Sequence, residues 1–190
     1  FFLSFLVINC SSPYTLSDMA KDGVALLEHL EIGEAHIVGA SMGGMIAQMI
    51  AAEHPNKAKS LVSIMSTTGA PHLSEMSERN ENTFRNIEEI DTEGARTYGF
   101  YPEAMPRQLT AIFKAGARSS IVKSIHAPTL VLHGENDTLL PVDHGKHTAE
   151  LIKDSKYKVY KNMGHNLPPE VLPVLVKDMI SFFKETDEVL

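Results

Sequence analysis

His36-Ile37-Val38-Gly39-Ala40-Ser41-Met42-Gly43-Gly44-Met45-Ile46-Ala47 is the stretch on which the reading of the fold turns. Its first five residues are short, apolar and partly β-branched, the pattern of a buried strand. From Met42 to Glu53 the period changes. Met45, Ile46, Met49 and Ile50 recur at helical spacing, and the run ends before Pro55. A strand therefore passes directly into a helix through Gly39-Ala40-Ser41-Met42-Gly43. So tight a turn leaves little room for flanking side chains, which accounts for Gly39 and Gly43, and it pushes Ser41 up out of the sheet. The backbone N–H of Met42, at the helix start, is then placed to donate to the oxyanion formed when Ser41 attacks a carbonyl.

Working outward, Thr15-Leu16-Ser17-Asp18 has the form of a helix N-cap, followed by Ala20, Val24, Leu27 and Leu30 at helical spacing, with Gly33 as the expected stop. Leu61 to Met65, Thr129 to His133 and Tyr157 to Tyr160 read as further strands. Helices are expected around His144 to Ile152 and from Pro169 to Phe183. Phe1 to Asn9 is apolar, lacks a basic leader and a small-residue cleavage site, and reads as a strand. Between His72 and Ser120 the character changes to polar, helix-compatible sequence, with an amphipathic helix from Pro106 to Ala117. Strands alternate with helices on both sides of that segment. The expected architecture is α/β, a mostly parallel sheet flanked by helices, with residues 1–70 and 121–190 as the core and 71–120 as a short helical lid insertion.

A serine nucleophile needs a base, and the base needs an orienting acid. Asp137, in His133-Gly134-Glu135-Asn136-Asp137, follows the end of one expected strand, and His165, in Gly164-His165-Asn166, follows the next. Loops at the carboxyl ends of parallel strands are where such sheets place functional groups. His165 would take the Ser41 proton and return it to the leaving group, while Asp137 fixes the imidazole tautomer. Two plainer readings compete: Asp137 as a turn former only, and Glu135 as the acid. His144 and His147, three apart on one helix, suit a metal, but no third ligand is near, and a solvated helix face is the expectation.

Several stretches together resemble the α/β-hydrolase superfamily, and within it the group containing the aclacinomycin methylesterases. They are Tyr14 to Ala20, Ala35 to Ala47, Ser60 to Gly69, Tyr101-Pro102-Glu103, Arg107-Gln108-Leu109, Ala127 to Gly134 and Gly164 to Pro168. The resemblance implies a Ser-Asp-His triad at Ser41, Asp137 and His165 and no cofactor. It also implies an N-terminal portion, with several strands and a His-Gly loop donating the second oxyanion N–H, that is not found in this chain. Because Phe1 is not an initiator, the fold is expected to be incomplete at the N-terminus. The lid looks shorter than usual, with Met42, Met45 and Phe113 as candidate lining of the acyl pocket.

The expected function is a carboxylic-ester hydrolase acting through an acyl-enzyme on small or short-chain esters. The rival reading is a truncated core that binds and does not catalyse. An Asp at the elbow would have suggested epoxide hydrolysis or dehalogenation, and this chain has Ser41. A formal charge of -7 without clustered Lys or Arg argues against a nucleic-acid partner. No stretch is long and apolar enough for a membrane span. One cysteine, Cys10, excludes an internal disulfide and points weakly to the cytoplasm. A missing half-sheet would leave an exposed edge strand, which invites a homodimer.

Overall fold

The computed structural model describes residues 12–80 and 104–189. The expected strand at Phe1 to Asn9, Cys10, and Tyr101-Pro102-Glu103 lie outside the described residues.

Helix α1 (Leu16–His29) begins as the sequence dictates. The Thr15 hydroxyl accepts from Asp18 N–H at 3.1 Å, and the Asp18 carboxylate accepts from Thr15 N–H at 3.0 Å. Its end differs from expectation. The helix stops four residues before Gly33, where Glu31 takes φ 56° and Ile32 N–H reaches back to Leu27 O at 2.8 Å. A left-handed Glu closes the turn that the sequence assigned to glycine. Strand β1 (Ala35–Ala40) leads through Ser41 into α2 (Met42–Glu53). Buried residues on α2 include Gly44, Met45, Ala47, Gln48 and Ala51, so the helix is enclosed on most sides and not along one stripe.

A 3-10 turn over Pro55–Lys57 precedes β2 (Ala58–Ile64). Next come α3 (Met105–Ala115) and a five-residue helix the periodicity did not reveal, α4 (Ser119–Lys123). The chain then runs through β3 (Thr129–Gly134), α5 (Val142–Leu151), β4 (Lys156–Tyr160) and α6 (Leu172–Val189). The last helix starts three residues later than Pro169 and runs six past Phe183.

Among the described residues four strands pair in chain order, β1-β2-β3-β4, all parallel. Alternation along the strands divides the core. Val62, Ile64, Leu130 and Leu132 meet Val171, Leu175 and Phe182 on one face. Leu61 meets Ala47, Ala51, Val122, Ile125 and Ile152 on the other. Outside α2, the buried face of α1 (Leu16, Ala20, Val24) packs on Met45, Met49 and Ile50. With helices on both faces and every strand parallel, the strand ends after β1, β3 and β4 open on one side, where the loops gather. No helix among the described residues is long and apolar enough to cross a membrane.

Candidate active site

Ser41 stands alone between β1 and α2 with φ 54° and ψ −123°. Its N–H donates to Ile64 O at 2.9 Å, tying the elbow to the neighbouring strand. Its carbonyl receives the N–H groups of Gly44 and Met45 at 2.9 and 3.2 Å. Gly39 is required here: a Cβ at that position would lie 2.0 Å from Gly43 O. Gly43, which the sequence grouped with it, has open space where a Cβ would stand. The crowded partner is instead Gly44, whose Cβ would fall 2.6 Å from Ser66 Cβ.

Asp137 and His165 reach Ser41 from loops held against each other. Asn136 N–H donates to Met163 O at 3.0 Å, and Glu135 N–H to Tyr160 O at 3.0 Å. A Cβ on Gly134 would fall 2.2 Å from Met163 O, so only glycine permits that approach. His165 Nε2 lies 2.8 Å from Ser41 Oγ, and its Nδ1 lies 2.8 Å from Asp137 Oδ2. An ionised carboxylate only accepts, so Nδ1 carries the proton and Nε2 receives the Ser41 hydroxyl. Asp137 is 4% exposed, and its Oδ1 accepts from Leu139 and Leu140 N–H at 2.9 Å each. It does act as a turn former, but with one oxygen only; the other faces the imidazole. Glu135, the rival acid, is exposed.

A second histidine braces this turn. His133 is 0% exposed, and its Nε2–H donates to Leu140 O at 2.8 Å. Desolvation by burial holds its pKa below the ordinary 6.5, while its Nδ1 is buried without a partner. His133 is therefore a neutral prop beneath Asp137.

Ser41 and His165 open onto a cavity of about 630 Å³. Met42, Met45 and Phe113, the expected lining, border it, as do Leu109, Ile112 and Leu140. Met42 is the first residue of α2, so its N–H is one of the first-turn donors without a partner inside the helix, and Met42 borders the cavity beside Ser41.

Three comparisons bear on what this arrangement belongs to. The sequence profile of the family described as "alpha/beta hydrolase fold" matches residues 8–98. The uncharacterized hydrolase YugF of Bacillus subtilis is 28% identical over 90% of this chain and 72% of its own length. Rhodomycin D methylesterase DnrP of Streptomyces peucetius is 23% identical, over 82% of this chain and 69% of its own. A solved thermophilic esterase from Thermogutta terrifontis superposes with a TM-score of 0.66 over 91% of this chain and 73% of that one, at 23% identity, a likeness of fold. The chain has the α/β-hydrolase fold.

Within this fold the sequence left several cavity residues unread. His144, expected on a solvated helix face, is buried: Nε2–H donates to Ser74 O at 2.8 Å, and Nδ1 accepts from the Thr67 hydroxyl at 2.6 Å. His147 is half-buried, 2.9 Å from Thr68 Oγ1 and edge-on to His72. Among the described residues no three His, Cys, Asp or Glu side chains converge as a metal site. Arg118, Thr67 and His144 line the Ser41 cavity, and nothing in their sequence context announces it. Such residues become visible only when distant segments fold together.

Proposed function

We propose that the chain is a serine hydrolase that cleaves carboxylic esters through an acyl-enzyme. The observation that carries this reading is the unbroken hydrogen-bond chain from Ser41 Oγ through His165 to Asp137, 2.8 Å at each link, at the wall of a largely apolar cavity. In the first half-reaction Ser41 Oγ bonds to the carbonyl carbon as its proton passes to His165 Nε2. The carbonyl electrons move to oxygen, where Met42 N–H donates to the oxyanion. The C–O bond to the alcohol then breaks, and the His165 proton leaves with that alcohol. Water repeats the sequence in the second half, losing a proton to His165, releasing the carboxylic acid and restoring Ser41. Asp137 keeps the imidazole in the tautomer each step needs and stabilises its charged form.

The name of DnrP, a methylesterase, supports ester chemistry for this chain. Of the expected lid, 71–120, the described residues include Met76 and α3, which border the cavity and would cover it, while 81–103 lie outside the described residues. A cavity of about 630 Å³ walled by Met42, Met45, Ile112 and Phe113 has room for apolar acyl groups, short unbranched ones included. The test is hydrolysis of p-nitrophenyl acetate and butyrate. The wild type should release a burst of nitrophenol, and Ser41→Ala should lose it, with kcat falling by about three orders of magnitude or more. Equal rates in both proteins would exclude Ser41 as the nucleophile.

A further inference from the structure

The cavity that holds Ser41 also holds a positive charge that ester cleavage does not use. Arg118 caps α4, its backbone N–H donating to Thr68 O at 2.8 Å, and the residue is 2% exposed. Its Nη1 donates to Gln48 Oε1 at 2.9 Å and its Nη2 to Thr67 O at 2.5 Å. Both acceptors are neutral, and the other end of Gln48 is tied to Ser63 Oγ at 3.1 Å. Among the described residues no carboxylate pairs with Arg118. Desolvation draws its pKa down to about 10, which leaves the guanidinium charged at neutral pH. A buried charge without a counter-charge is costly, and natural cores rarely keep one.

The surroundings narrow what would complete it. Arg118 has five N–H groups in a planar fork, and two are engaged. Beside it in the cavity wall, Thr67 and His144 are committed to each other and to Ser74. The remainder of that wall is largely apolar, including Met45, Met105, Leu109 and Ile112. An apolar slot bordered by a guanidinium with unengaged N–H groups matches an apolar molecule with one planar anion, and a carboxylate suits such a donor.

We propose that Arg118 recognises a carboxylate on the substrate, so that the cavity takes an ester bearing a second, ionised carboxyl group. The identity of the reacting bond rests on the hydrolase reading above, but the anion site does not.

Binding to the catalytically silenced Ser41→Ala chain separates the two. Calorimetry compares monomethyl glutarate with dimethyl glutarate, and 4-acetoxybenzoate with its methyl ester, which place the charge on the acyl and the alcohol side. In at least one pair the charged member should bind at least about tenfold more tightly. That preference should collapse when Arg118→Gln is added, and Arg118→Lys should keep part of it, since Lys retains charge but not the fork. Equal affinities in both pairs, or a preference that survives Arg118→Gln, would overturn the proposal. Should Arg118→Gln lose its native circular dichroism, Arg118→Lys decides: a weakened preference supports the site, an unchanged one refutes it. Anion preference without wild-type ester cleavage would sink only the reading of Ser41, and cleavage without anion preference only that of Arg118.

Discussion

Ser41 occupies a backbone region, φ 54° and ψ −123°, that side-chain-bearing residues enter at a cost of roughly 1–3 kcal/mol. It is held there by Ile64 O on one side and the first turn of α2 on the other. The strain lifts the hydroxyl out of the sheet, within 2.8 Å of His165. His133 shows the opposite economy, a neutral imidazole sealed beneath Asp137. Its pKa is lowered, first by desolvation, so between that value and the unfolded 6.5 the unfolded chain binds more protons than the native one. Stability should therefore rise with pH across that window and be lost as pH falls through it. The urea midpoint is expected to be higher at pH 7.5 than at pH 5. His133→Gln should flatten that dependence in part, with His147, also held below its ordinary value by desolvation, supplying a residual slope. An unchanged slope in the variant would show that His133 is not the group responsible.

The strand–turn–helix unit of β1, Ser41 and α2 makes its own prediction, because its glycines are not equivalent. A methyl on Gly39 would collide with Gly43 backbone at 2.0 Å, and neither partner is a flexible side chain. A methyl on Gly43 meets nothing within 4 Å, and Ala is the better helix former. Gly39→Ala should thus lower the thermal midpoint by many degrees or prevent folding. Gly43→Ala should leave it unchanged or raise it slightly. Thermal unfolding followed by circular dichroism checks both, and comparable losses in the two would mean the turn is built differently.

For the molecule as a whole, the sheet is clamped between α6 and the pair α2 and α5, and Leu132 lies fully buried at the centre of the α6 side. Leu132→Ala should cost about 2–5 kcal/mol in urea unfolding, as large-to-small changes do in rigid cores. A loss under about 1 kcal/mol would indicate a core able to collapse around the gap. The same burial fixes β3, and β3 carries Gly134 and the loop to Asp137. Core packing and site geometry are therefore coupled through one strand.

The sequence by itself determined the parallel α/β layering, the elbow, the capping box at Thr15 and Asp18, and the chain order Ser41, Asp137, His165. Each is a local pattern: a period, a cap, a glycine at a forced turn, or a polar residue just past a strand. Tertiary structure alone decided the rest. The stop of α1 at Glu31 depends on the chain's path and not on Gly33. The burial of Asp137 over Glu135 depends on which side of the loop meets the sheet ends. Arg118 and His144 face Ser41's cavity because segments about 80 to 100 residues away in sequence close around it, a proximity that no short-range pattern encodes.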